Sequence, residues 1–296
     1  SLASLLSFRF LTGFFLAGIY PVGMKIAADY FDKGLGKSLG FLVGALVLGT
    51  AFPHLLNQVT SAYPWQYVLV STSVLATAGG LAMLALVPNG PFRKASQGTD
   101  LSAFFKVFKK PAFRSVAIGY FGHMWELYAF WAFVPIMLQK FSNDHSLAIT
   151  NIPMISFLII GIGGIACVLG GYLSQRVGPK KIAQLALALS GVCCVVSPLV
   201  FASGSEAVFI GFLLFWGMVV IADSPLLSTL VAQNAPTELK GTALTIVNCI
   251  GFSITIISIQ LLSQLQAVTD SNAIYMLLAL GPILGLLSLR NARQKA

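Results

Sequence analysis

The chain has 296 residues, 57% of them hydrophobic and only 9% charged, with a formal net charge of +9. Soluble domains average about 25% charged residues, so this composition excludes an ordinary soluble enzyme and points to a membrane protein. A nucleic-acid-binding surface is excluded too, because the 18 Lys and Arg are scattered over short connections and not gathered on one soluble basic face.

A bilayer core needs roughly 20 apolar residues of helix to cross it. Nine stretches meet that length, near 2–30, 34–56, 65–88, 112–139, 151–175, 180–201, 205–233, 240–265 and 272–290. The first begins at once after Ser1, with no Met, flanking charge or signal-peptide layout, so a natural start further upstream is expected. Within it, Arg9 lies about 20 residues before Tyr30, roughly 30 Å of helix, which places Arg9 in the outer half of the membrane.

The second span carries Gly36, Gly40 and Gly44 at a spacing that suits close helix packing. Between the third and fourth spans lies the longest connection. Its segment from Asp100 to Lys110 reads as a short amphipathic helix at the membrane surface, with Leu101, Phe104, Phe105 and Phe108 on one face and Lys106, Lys109 and Lys110 on another.

The fourth span holds His123 and Glu126, three residues apart and so on one helix face, near the middle of 112–139. A carboxylate beside an imidazole at membrane depth is costly and normally faces the bundle interior or a water-filled cavity. Such a pair binds and releases a proton near neutral pH, so Glu126 tuned by His123 is the expected coupling site. Trp125, Tyr128, Phe130 and Trp131 surround it in sequence as candidate ligand contacts. The seventh span brings Asp223 just before Pro225. That proline cannot donate a backbone hydrogen bond, which frees a carbonyl for a side chain, water or substrate. In the eighth span Thr245, Asn248, Phe252 and Thr255 form a polar-tinged face expected to line the same cavity. Cys167, Cys193, Cys194 and Cys249 all fall within apolar spans without ligand-like spacing and read as small buried thiols. Neither a metal nor a cofactor is expected.

Positive charge falls on alternate connections. Lys33 and Lys37, then Arg93 through Arg114, then Arg176, Lys180 and Lys181, then Lys240, then Arg290, Arg293 and Lys295 mark one side. Segments 57–64, 202–204 and 266–271 carry none, and 140–150 only Lys140. The positive-inside rule puts the basic connections and the C-terminus in the cytoplasm of an integral, multi-pass protein of a bacterial-type inner or plasma membrane. An internal echo agrees: Pro21 and Pro225 lie 204 residues apart, and the same offset joins Gly13 to Gly217, Ala28 to Ala232 and Leu35 to Leu239. Parallel repeats of this kind occur in one large transporter class.

The segment from Gly171 through Gln175, Arg176, Gly178 and Lys180 to Lys181 resembles the cytoplasmic loop signature of the major facilitator superfamily, with Gln175 at the family's Asp. Arg9 to Gly13 is similar to the family's Arg-x-x-x-Gly pattern on its fourth helix. Gly40, Gly44 and Gly49 partly resemble its antiporter signature, with Ala45 at the usual Pro. The resemblance covers the whole chain and implies an all-α membrane bundle, with nine transmembrane helices of an expected twelve. On that reading residues 1–88 are the last three helices of the N-terminal half, 89–111 the cytoplasmic interdomain loop and 112–296 the C-terminal six-helix half.

The implied function is secondary active transport of a small solute by alternating access, coupled to protons, with Glu126 and His123 as the proton site. Arg9, Asp223, Asn248, Trp125 and Tyr128 are the implied cavity residues. The partners are the small-molecule substrate, protons and the lipid bilayer, without nucleic acid. A channel and a membrane-embedded enzyme are the alternatives. No phosphate-binding loop, His-Glu-x-x-His or Gly-x-Ser-x-Gly motif is present for the latter. Within transporters, an anion or organic-acid porter and a drug efflux pump both stay open.

Overall fold

The computed structural model describes residues 2–31, 34–59, 64–93, 103–147 and 149–290. Lys33, Lys94, Leu101, Arg293 and Lys295, together with the Phe104 side chain, lie outside them. The helices are α1 (Leu2–Ala17), α2 (Ile19–Tyr30), α3 (Leu35–Val59), α4 (Gln66–Leu86), α5 (Ala103–Phe108), α6 (Pro111–Asp144), α7 (Ile152–Val177), α8 (Pro179–Phe201), α9 (Glu206–Ala222), α10 (Ser224–Asn234), α11 (Lys240–Val268) and α12 (Leu280–Arg290). Short 3-10 turns at Thr237–Leu239 and Asn272–Ala279 lead into α11 and α12. Among the described residues there is no strand.

Among the described residues, eight helical stretches are long and apolar enough to cross a membrane, counting α1 with α2, α9 with α10, and Asn272–Arg290 each as one. The expected ninth span is α6, whose 34 residues correspond to roughly 50 Å of helix. It is long enough to cross but less apolar, because His123, Glu126, two Trp and two Tyr occupy its middle.

The 204-residue echo has a structural counterpart. Span one breaks between α1 and α2 around Gly18, and span seven breaks between α9 and α10 at Asp223. Helix α2 ends at Tyr30 and α10 at Asn234, again one offset apart.

Glycines set the closest helix contacts, since a bare Cα lets two backbones meet and gains dispersion contact that lipid cannot supply. A Cβ on Gly40 would lie 2.7 Å from the Cys167 carbonyl oxygen, and one on Gly44 would lie 3.0 Å from that of Gly164. Gly36 sits equally close to the Ser174 hydroxyl, so the glycines of α3 form a packing face against α7. Gly122 of α6 and Gly281 of α12 make the same kind of contact. Helices α2 and α3 also feed Met24, Leu39, Val43 and Val47 into apolar clusters built mainly from residues 107–289.

Contacts between connections gather at the two ends of the helices. At one end Lys37 lies over the Tyr172 ring, Gln175 lies against Gly34, Phe92 N donates to Asp29 O, and Lys25 packs on Gly241. At the other end Gln58 Nε2 donates to Asn151 Oδ1 at 3.1 Å, and His145 packs on Gly204.

Two expectations need correction. Helix α5 does not present Phe105 and Phe108 together to one surface. It buries Val107, packs Phe108 against the Phe113 ring at 5.3 Å and leaves Phe105 70% exposed. The interior side of this short helix is therefore set by its contact with α6 and α11. Cys249 is exposed and not a buried thiol.

Candidate functional site

The break between α9 and α10 positions the first part of the site. Pro225 has no N–H for the Ile221 carbonyl, and that oxygen instead faces the Cys167 thiol of α7 at 3.5 Å. Asp223 sits at the break. Its backbone carbonyl accepts from Leu226 N and Leu227 N. Its carboxylate makes no N-capping hydrogen bond into α10 beyond the backbone of Ser224, although Asp is a common capping residue. That carboxylate instead meets His123 of α6, with Nδ1 and Oδ1 2.8 Å apart and both side chains 1% exposed.

This is a close ion-pair contact by distance, in which Asp223 Oδ1 lacks hydrogen-bond geometry. No protein group reaches His123 Nε2. One turn earlier, Tyr120 packs its ring 6.0 Å from that of His123 and donates its hydroxyl to Asn248 Oδ1 of α11. Tyr20 of α2 reaches in beside Ser224 and Ser228. Both serine hydroxyls are buried within hydrogen-bonding reach of the Tyr20 hydroxyl.

Glu126 belongs to a second cluster. Its Oε1 accepts from Trp216 Nε1 at 2.7 Å and from the Cys194 thiol at 3.2 Å, and its Oε2 accepts from Ser190 Oγ at 2.9 Å. The donors stand on α8 and α9, so this carboxylate looks into the core of the C-terminal helices. The shared face divides: His123 turns to Asp223, and Glu126 to Ser190, Cys194 and Trp216. Phe130 follows Glu126, its ring tilted against that of Trp216 with centroids 4.6 Å apart.

Of the other expected cavity residues, Asn248 joins the His123 cluster and Tyr128 lies half-buried between Trp131 and Phe252, with ring centroids 5.2 Å and 5.3 Å away. Trp125 does not join. Its Nε1 donates to the Leu277 carbonyl at 3.1 Å, tying α6 to the turn before α12. Arg9 does not join either, since it lies on α1, which buries none of its residues. Thr245 is exposed while Thr255 is buried, so the expected polar face of α11 is only partly internal.

In the loop signature, Gly178 adopts φ 94°, the left-handed region that suits glycine, and links α7 to α8 in one residue. Gly171 packs on the Gly36 carbonyl, Arg176 ends α7, and Lys180 begins α8. Sequence reasoning did not single out Tyr20, Tyr120, Ser190, Trp216, Ser224 or Ser228, and it read Cys194 only as a buried thiol. Tyr120 was visible at three residues before His123, whereas the donors to Glu126 depend on which helices become neighbours.

A family model described as Major Facilitator Superfamily matches residues 1–259. The chain belongs to the major facilitator superfamily. No curated protein matches it by sequence. Among solved structures, a point variant of the Escherichia coli fucose:proton symporter FucP matches with TM-score 0.58 and 14% identity, over 77% of this chain and 55% of that one. A bacterial homologue of the iron transporter ferroportin, in an outward-facing state, matches with TM-score 0.51 and 20% identity, over 86% of this chain and 66% of that one. These likenesses concern the fold, and the chain spans about half the length of FucP. Membership of this superfamily, with eight apolar membrane-length helices, makes the chain an integral, multi-pass membrane protein.

Proposed function

We propose that this chain forms the solute-binding and coupling part of a proton-coupled secondary transporter, with the His123–Asp223 pair as its proton site. The observation that carries the reading is the 2.8 Å contact between His123 Nδ1 and Asp223 Oδ1 at a helix break. An intramembrane ionisable pair marks a proton or substrate path by default, and a broken helix supplies backbone that rearranges as the halves move. Tyr20 brings the first half of the bundle to the same break. The proton symporter among the fold neighbours supports the coupling ion, and the basic connections support a cytoplasmic C-terminus. Of the two buried acids the geometry favours Asp223, because the Glu126 carboxylate already accepts from three fixed donors.

The test uses the full-length protein in proteoliposomes. Asp223→Asn should keep solute counterflow and lose accumulation driven by a pH gradient. Glu126→Gln, which keeps a carbonyl acceptor for Trp216, should retain both. Loss of pH-driven accumulation in Glu126→Gln, with Asp223→Asn unaffected, would move the proton site to Glu126.

A further inference from the structure

Helices α6 and α12 touch backbone to backbone at Gly122 and Gly281. Nearer the basic end of the bundle the Ser288 hydroxyl donates to the Ser115 carbonyl at 2.8 Å. A groove of about 390 Å³ opens at this contact, lined by Pro111, Arg114, Ser115, Ile118, Leu287 and Ser288.

Polarity is sorted along the groove. Pro111, Arg114 and Ile118 follow at spacings of three and four, so they share one face of α6, and all three are exposed. Ile283, Leu284 and Leu287 make a matching exposed row on α12. Helix α6 runs from this end toward mid-membrane and α12 runs back, so the walls below the serine contact are aliphatic. The cations stand at the outer end. Arg114 precedes Ser115, and Arg290 follows Ser288 by two residues, roughly 3 Å closer to the surface. The Arg114 guanidinium is steered by α5, its Nη1 donating to the Phe108 carbonyl at 3.4 Å. Residues 101–125 and 271–296 contain no Asp or Glu, so neither wall supplies a carboxylate that would neutralise these arginines.

An ordinary lipid-facing surface accounts for the aliphatic rows alone, and a soluble anion would use the cations alone. A phospholipid with a charged head uses both. We infer that the groove between α6 and α12 binds an anionic phospholipid, its phosphate on Arg114 and its acyl chains along Ile118, Leu284 and Leu287. The planar fork of a guanidinium matches phosphate, and basic pockets between membrane helices hold anionic headgroups. The leaflet that basic connections face is also the one that carries anionic lipid. This site lies apart from the His123 cluster and does not depend on which solute is carried.

Native mass spectrometry of the delipidated full-length protein tests it, by titration with phosphatidylglycerol and with phosphatidylcholine of the same acyl chains. Phosphatidylglycerol should bind at least about fivefold more tightly, the factor for one basic side chain at an anionic surface. Arg114→Gln should remove most of that preference, and Arg114→Lys should keep part of it. Arg176→Gln deletes a cation at the same end of the bundle but on α7, and should leave the preference intact. Ile118→Trp fills the groove without touching its charge and should weaken phosphatidylglycerol binding. Glycerol 3-phosphate, a phosphate without acyl chains, should fail to displace the lipid even in large excess. A ligand of the folded state raises Tm, so phosphatidylglycerol should raise it more in the parent than in Arg114→Gln. Equal affinity for the two lipids, or a monodisperse Arg114→Gln protein with its preference unchanged, would overturn the inference. An equal loss in Arg176→Gln would do the same by showing diffuse attraction, and displacement by glycerol 3-phosphate by showing a site for soluble phosphate.

Discussion

Helix α6 buries 19 of its 34 residues, whereas α1 and α4 bury none of theirs. Yet α1 is dense in Phe and Leu, with Phe8 68% and Leu16 61% exposed, and α6 carries the most polar centre of any span. In water that order would be inverted. In a bilayer, lipid solvates Leu and Phe as well as another helix does, so apolarity supplies no drive to bury. Burial follows instead the groups that lipid serves badly or cannot approach: His123, Glu126, Tyr120 and Asn248 need polar partners, and Gly119 and Gly122 need another backbone. Residues 111–290 hold most of these groups, and residues 2–86 hold few beyond the glycine face of α3.

The comparison can be broken most sharply with one substitution made twice. Gly122→Ala puts a methyl carbon 2.2 Å from the Gly281 carbonyl oxygen, a backbone atom that cannot swing aside. Separating α6 from α12 should cost about 3 kcal/mol, at the upper end for overpacking. Gly79→Ala in α4 meets nothing within 4 Å and should be neutral or stabilising by up to about 1 kcal/mol, the helix-propensity gain. Thermal unfolding in detergent, followed by intrinsic fluorescence, checks both. Equal shifts in Tm would show that burial in this structure does not report packing energy.

A smaller effect separates the two acids of the compact region. Glu126→Leu leaves the Trp216 indole N–H buried without an acceptor, a loss of about 1–3 kcal/mol, and Glu126→Gln keeps an oxygen in the same place. The Leu variant should therefore melt below the Gln variant. Ser190 is the weaker loser, since its hydroxyl also donates to the Leu187 carbonyl at 3.2 Å. If the two variants melt together, the three-donor cradle does not stabilise the fold, and Glu126 regains its claim to a functional proton.

The sequence exposed the spans, their alternating charge and the repeat, because length, hydropathy and Lys or Arg placement act locally along the chain. Even the break at Asp223 was visible in Pro225. The partners of the polar groups were not. His123 and Glu126 share a face at i and i+3, but that face is wide enough to meet two different neighbours. The choice depended on Asp223 standing at a broken turn and on Ser190, Cys194 and Trp216 converging from α8 and α9. Trp125 shows the same limit, being drawn to the Leu277 carbonyl by a 3-10 turn with no signal in the local pattern. Packing glycines were legible as a face on α3, and their mates on α7 only in space.

The smallest effect lies where α3 meets the loop signature. With Gln175 in place of the family's Asp, the segment from Gly171 to Lys181 contains no carboxylate. The cross-helix contact is made instead by Lys37, whose ammonium nitrogen lies 4.5 Å from the centre of the Tyr172 ring, with Phe41 edge-on to the same ring at 6.1 Å. Tyr172 is 46% exposed, so the cation–π attraction is partly hydrated and belongs at about 0.5–1 kcal/mol. A double-mutant cycle with Lys37→Met and Tyr172→Leu isolates it, because each single change removes the same pair. The coupling energy from thermal unfolding should fall in that range, and Lys37→Arg should preserve it, since a guanidinium stacks on an aromatic face. A coupling of zero would leave the attachment of α3 to α7 at this end to the glycine contacts and the Phe41 ring, and would make Lys37 a topology signal alone.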